Sequence, residues 1–343
     1  MHILVTGGAG FIGSCFTRMA LADALPGLEG ARITVLDALT YAGTTTNLTT
    51  VLGSPRLRFV EGDVLDRHLA DDLVREVVGD PAGGAVVHFA AESHVDRSIA
   101  DAGAFVRTNV LGTQTLLDAV LRAGRGRFLH VSTDEVYGPV DVGGAAETDP
   151  PAPTSPYAAS KAAADLLALA SFKTHGTDVV VTRGSNTYGP HQFPEKLVPL
   201  FVTTLLDGGT VPLYGDGLNV RSWLHVEDHC RGIALALTQG RAGEVYNIGG
   251  GTELTNTDLT DRLLAATGRS RSAVVPVEDR KGHDRRYAVD IAKIARLGYA
   301  PQVPFEQGLA STVEWYRTRR DWWEPLTRRA VAEPARTASR RSR

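Results

Sequence analysis

The chain has 343 residues, 43% hydrophobic and 22% charged, an ordinary balance for a globular protein. That length holds one large domain or two closely joined ones, with a core that needs no disulfides. A net charge of −3 and only two cysteines, Cys15 and Cys230, argue against a disulfide framework and provide no metal-ligand spacing.

The charge is unevenly spread. The segment from Arg328 to Arg343, RRAVAEPARTASRRSR, carries six Arg against Glu333. Removing these from totals of 36 basic and 39 acidic residues leaves 30 against 38. The tail has little to bury and is expected to be disordered. The body has no basic stripe to join it, so no nucleic-acid partner is expected. The start, MHILVTGGAG, lacks the basic and long apolar stretches of a signal peptide. No run approaches the roughly 18 apolar residues of a membrane span. A soluble cytoplasmic protein with no membrane partner is the expectation.

In chain order, short β-branched runs occur at 2–6, 32–36, 56–60, 85–89, 127–131 and 179–183. Helical patterns lie between several of them, notably 110–123 and 155–172. This alternation predicts an α/β fold: a doubly wound parallel sheet covered on both faces, with right-handed crossovers. After about residue 184 the rhythm breaks and Pro and Gly become frequent. VPLYGDG and EVYNIGGGTELT read as strand-to-loop passages, and LTDRLLAAT as helical. A smaller C-terminal α/β lobe over the carboxyl edge of the sheet is expected. The expected division is 1–184, with 232–251 returning to it, then 185–231 and 252–327 for the second lobe, then the tail 328–343.

Ligands of open α/β sheets bind beyond the carboxyl ends of the strands. Strand one is followed by TGGAGFIGS. Gly8, Gly10 and Gly13 fit GxGxxG, and Gly7 offers a second spacing, with Phe11 and Ile12 between the later glycines. Glycine lets the backbone approach a pyrophosphate at a helix N-terminus. The bland alternative is a tight turn. Strand two ends at Asp37, a little beyond the roughly 20-residue spacing at which a carboxylate meets the ribose 2′-OH of NAD. Strand three is followed by Asp63 and Val64, which could meet an adenine or form a common turn. Strand four leads into FAAESHVDRSI, where Phe89, Ala90 and Ala91 would pass beneath a cofactor and Ser93 would face a substrate.

Strand five ends in HVSTDEVYGP, residues 130–139. Ser132, Thr133, Asp134 and Glu135 form either a polar surface turn or a site needing a hydroxyl and two carboxyl groups. They cannot all point one way from an extended strand, so a turn or helix start is expected. PYAASK then places Tyr157 and Lys161 four apart on one helical face. A free tyrosine is a poor base at neutral pH; a nearby ammonium would favour the phenolate.

Together the glycine motif and the Tyr–Lys pair resemble the extended short-chain dehydrogenase/reductase superfamily, with its Rossmann-type domain. STDEVYG, AAESHVDRSI, PYAASK, NTYGPHQFPEKLVPL, NVRSWLHVEDHCRGI and EDRKGHDRRYAVD resemble the dTDP-glucose 4,6-dehydratase family within it, over residues 1–326. The resemblance implies NAD as cofactor, with Thr40 and Thr108 added to its site, a nucleotide-sugar substrate and a homodimer. It implies Tyr157 as base for C4 oxidation, tuned by Lys161 and aided by Thr133, with Glu135 as C5 base and Asp134 as acid at C6. It places Asn186, Lys196, Leu197 and Asn256 in the substrate site, Pro212, Leu213 and Tyr214 at the base, Arg221 and Arg280 at the phosphates, and His283 nearby. Thr187, Ser222 and Lys281 depart from the family's usual residues and leave open which base and sugar are bound. A 4-epimerase or decarboxylase would keep the glycines, Tyr157 and Lys161 without needing Asp134 and Glu135. A non-catalytic dinucleotide-binding protein could lose Tyr157 or Lys161 without penalty.

Overall fold

The computed structural model describes residues 1–280 and 282–327. The basic tail and Lys281 lie outside them. The strands are β1 (His2–Thr6), β2 (Arg32–Asp37), β3 (Leu57–Glu61), β4 (Gly84–His88), β5 (Arg127–Thr133), β6 (Val179–Gly184), β7 (Asn186–Tyr188), β8 (Val211–Tyr214), β9 (Val220–His225), β10 (Glu244–Ile248), β11 (Thr252–Thr255) and β12 (Val274–Val277).

Seven strands form one parallel sheet in the order β10-β6-β5-β4-β1-β2-β3. The short apolar runs form its centre because both faces are covered; all five residues of β1 are buried. Helices Phe11–Leu21 and Val226–Gln239 cover one face around Phe16, Ile33 and Ile233. Helices Arg67–Val78, Gly112–Ala123 and Pro156–His175 cover the other around Leu73, Leu116 and Phe128. The strand order reverses between β1 and β4, where a doubly wound sheet opens its ligand crevice.

A second core, built on Tyr188, Phe201, Trp223, Leu259, Tyr316 and Trp323, lies beyond that carboxyl edge. It contains the mixed sheet β11-β9-β7 and the pair β12-β8. The passage EVYNIGGGTELT holds two strands in different sheets. Gly249–Gly251 lets the chain cross between them: a Cβ at Gly250 would lie 2.0 Å from the Trp223 carbonyl oxygen.

The helical pattern at 110–123 becomes regular α-helix only at Gly112. A π-helical stretch, Val106–Leu111, precedes it and carries Thr108 and Asn109. The helix Pro156–His175 has clear sequence limits. Ser155 accepts a hydrogen bond from the Ala158 N–H, Pro156 takes the first position, and Gly176 ends it in a left-handed conformation. Among the described residues no helix is long and apolar enough to cross a membrane.

Candidate active site

The turn after β1 explains its glycines individually. Gly7 has φ +69°, and a Cβ there would stand 2.6 Å from the Ala90 nitrogen. A Cβ on Gly13 would stand 2.4 Å from the Gly7 carbonyl oxygen. Gly10 caps the following helix and faces a cavity. Gly8 instead packs its Cα onto Val35 and Val5, away from that cavity. Of this turn's glycines, Gly7, Gly10 and Gly13 line the cavity, the second of the two spacings.

This cavity measures about 340 Å³. Phe11, Ile12, Asp37, Thr40, Asp63, Val64, Phe89, Ala90, Ala91 and Thr108 line it, and Thr133, Asp134, Glu135, Tyr157 and Lys161 close its inner end. Asp37 shapes the turn itself: its carboxylate accepts from the N–H of Ala9 and of Leu39, both at 2.8 Å. Burial raises its pKa, and those two N–H groups oppose the rise. Asp63 accepts from the Leu65 N–H at 2.9 Å in a local turn, and also lines the cavity.

The polar cluster after β5 is a helix start. Asp134–Tyr137 forms a 3-10 turn capped by Thr133, whose hydroxyl accepts from the Glu135 N–H at 3.3 Å. An extended strand would alternate these side chains between two faces; the turn lets Thr133, Asp134 and Glu135 line one cavity. Asp134 is 3% exposed, and one of its carboxyl oxygens is buried without a partner. Burial, then the neighbouring Glu135, push its pKa up to about 7. Burial also raises Glu135, but Arg221, Lys196 and Arg280 oppose the rise. One carboxyl group is thus suited to hold a proton at neutral pH, while three cations favour charge on the other.

Tyr157 lines the same cavity as these carboxyl groups and Lys161. The phenol lies well above its ordinary range because of burial and the charge of Glu135; contact with Thr133 works the other way. Burial lowers Lys161 itself to about 8. Its ammonium donates to the Val131 carbonyl at 2.8 Å and lies 3.3 Å from His130 Nε2. Burial and the nearby carboxyl groups thus favour the neutral phenol, and a positive charge beside it would favour the phenolate.

A second cavity, of about 410 Å³, meets the first along Ser93, Glu135, Asn186, Glu195 and Lys196. Leu197, Pro212, Leu213, Tyr214, Arg221, Asn256, Arg280 and His283 line it; Thr133 lines only the first. Arg221 is 8% exposed, and its guanidinium lies 4.4 Å from the Tyr287 ring centre. It donates to the carbonyls of Val220 and Asp284. Arg280 pairs with Asp96 at 2.6 Å, bridging the two cores. Lys196 donates to the Ser93 carbonyl at 2.7 Å, so Ser93 fixes this lysine through its backbone. His283 pairs with Asp279 at 2.7 Å.

Glu195 and Tyr287 are among the lining residues that the sequence did not single out. Glu195 borders both cavities beside Arg97 at 3.3 Å, and Tyr287 donates to Asp284 at 2.5 Å beneath Arg221. Both sit inside motifs that were noticed, PEKL and RRYAVD, but only the fold turns them inward.

The family model described as GDP-mannose 4,6 dehydratase matches residues 4–312. A dTDP-glucose 4,6-dehydratase from Streptomyces antibioticus is 60% identical over 337 residues, 98% of each chain. The crystal structure of a dTDP-glucose 4,6-dehydratase from Streptomyces venezuelae, with NAD bound, is 60% identical. It matches with a TM-score of 0.92 over 95% of this chain and 100% of that one. A UDP-glucose 4-epimerase from Thermus thermophilus, in complex with NAD, is 33% identical, with a TM-score of 0.83 over 93% of this chain and 100% of that one. The chain belongs to the GDP-mannose 4,6 dehydratase family and, within it, groups with the dTDP-glucose 4,6-dehydratases.

Proposed function

We propose that the chain is a dTDP-glucose 4,6-dehydratase, a lyase that uses NAD and converts dTDP-glucose to dTDP-4-keto-6-deoxyglucose with loss of water. One adjacency carries the reading: Asp134 and Glu135 stand together on a capped turn in the cavity that holds Tyr157. The 60% identity to dehydratases over nearly the whole chain supports it. An epimerase shares the fold but has no task for two adjacent carboxyl groups.

The residues present fit a dinucleotide. Gly7 and Gly13 bring the turn too close to Ala90 and to itself for side chains, and Asp37 lines the cavity beside them. That carboxylate suits a ribose 2′-OH and repels a 2′-phosphate. NAD bound there supplies the acceptor for the C4 hydrogen and its later source at C6. Tyr157 takes the proton of the C4 hydroxyl, with Thr133 bonded to the same oxygen. The ketone at C4 acidifies C5, and Glu135 removes the C5 proton. Asp134 protonates the C6 hydroxyl as it departs as water. A proton then returns to C5. Each acid–base role typically contributes ~10²–10⁴-fold. Arg221 and Arg280 meet the diphosphate, and Pro212, Leu213 and Tyr214 flank the base.

In this reading, residues 1–184 with 232–251 form the NAD half, and 185–231 with 252–327 the nucleotide-sugar half. A homodimer is supported by exposed apolar side chains on two neighbouring helical segments: Val106, Leu111 and Leu121 on one, Leu166 on the other. A reducing cytoplasmic setting is supported by Cys15 and Cys230, both free and buried. The experiment is mass analysis of the product from dTDP-glucose. Loss of one water with no net reduced cofactor supports a dehydratase; an unchanged mass with inverted C4 supports an epimerase.

A further inference from the structure

Beneath the Tyr157–Lys161 face lies a buried polar group with no role in the chemistry above. Asp165 continues the same helical face, four residues after Lys161 and eight after Tyr157. Its side chain is fully buried, as is that of His130. The His130 Nε2 stands 3.3 Å from Lys161 Nζ and 3.5 Å from an Asp165 oxygen, so the imidazole lies between the two, while that carboxyl oxygen has no hydrogen-bond partner of its own. The other Asp165 oxygen accepts from Arg183 Nε at 2.8 Å.

We propose that Asp165 is a positioning residue for C4 oxidation, acting across His130 to keep the Lys161 ammonium charged and in place. The proposal rests on the dehydratase reading, because it assigns the lysine's charge to that reaction's first step. A lysine buried among β5, β6 and its own helix loses charge readily. The Val131 carbonyl satisfies one of its protons but carries no full charge. Asp165 is the opposing carboxylate, and it favours the charged form while burial disfavours it. Burial raises the pKa of Asp165 itself, and Arg183, from β6, opposes the rise. The remaining facing groups are neutral or oppose the lysine. His130 on β5 and His88 on β4 are held uncharged by burial. Tyr137, from the turn after β5, lies under Arg183 at 4.5 Å. Asp134 and Glu135 belong to the reacting end of the cavity.

The test isolates the oxidation step. dTDP-xylose has no C6, so the enzyme can only oxidise C4, and the absorbance of reduced nicotinamide reports the rate. Asp134 has no task in that step. With wild-type turnover of dTDP-glucose established first, the rate is followed against pH for the wild type, Asp165→Asn and Asp165→Glu. The rate should fall above about pH 8 in the wild type as Lys161 loses its proton. In Asp165→Asn the fall should move down by about one pH unit, giving roughly fivefold less oxidation at pH 8. Asp165→Glu should restore the wild-type position. Should Asp165→Asn not fold, Arg183→Gln removes the cation that favours charge on the Asp165 carboxylate and should likewise move the fall downward. A uniform loss of rate with the fall unmoved in whichever variant folds would overturn the proposal, and would leave the dehydratase reading intact.

Discussion

The Lys161 ammonium donates to the carbonyl of Val131, at 2.8 Å, two residues before Thr133. The catalytic helix and the catalytic strand are therefore joined by the lysine itself. Lys161→Met removes both the charge and the tie. C4 oxidation should fall by ~10²–10³. Single-turnover formation of reduced nicotinamide measures it; a rate within a few-fold of wild type would remove Lys161 from the mechanism.

Asp134 serves as an acid only while protonated, and its pKa is raised to about 7. Elimination should therefore weaken as pH rises through neutrality. Asp134→Asn, which cannot donate a carboxyl proton, should slow water loss by ~10²-fold and abolish that pH dependence. C4 oxidation should change far less. Rapid-quench mass analysis of the bound sugar separates the two steps, and an unchanged elimination rate rules out the acid role.

Gly7 combines a left-handed φ of +69° with a Cβ position 2.6 Å from the Ala90 nitrogen. Gly7→Ala is strained twice and pushes the turn into the space assigned to the pyrophosphate. NAD affinity should drop by more than about tenfold, read by calorimetric titration of the stripped protein. Gly8→Ala should also cost stability, since its Cβ would meet Val35 at 2.8 Å, but through the core. Equal NAD loss in both variants at matched folding would contradict the separate roles.

Leu166 is 56% exposed midway along the helix that starts at Pro156. If a second copy covers it, Leu166→Glu places a charge in an apolar contact and should yield monomers. Sedimentation velocity distinguishes the species. A mass unchanged by the substitution would place any dimer contact elsewhere.

Much of this was legible in the chain. The six N-terminal strands follow from short β-branched runs, a local signal. The Tyr157 and Lys161 spacing is likewise local, because one helix fixes it. The choice between Gly7 and Gly8 was not legible: both satisfy a glycine spacing, and only the approach of Ala90 separates them. Asp165 shares the lysine's face, yet sequence cannot show that His130, from a strand 31 residues before Lys161, stands between them. The depression of Lys161 and the high pKa of Tyr157 also depend on burial contributed by distant segments. Glu195 and Tyr287 belong to loops whose course is set by the second core, with contacts far apart in sequence.

The central claim is that one hydrogen leaves C4 and returns to C6 within a single active site. The most direct measurement follows deuterium from dTDP-glucose labelled at C4, with the product analysed by mass spectrometry and NMR. The account predicts one deuterium at C6 of the 4-keto-6-deoxy product and none released to solvent. Label retained at C4, or washed out into water with C6 unlabelled, would contradict it.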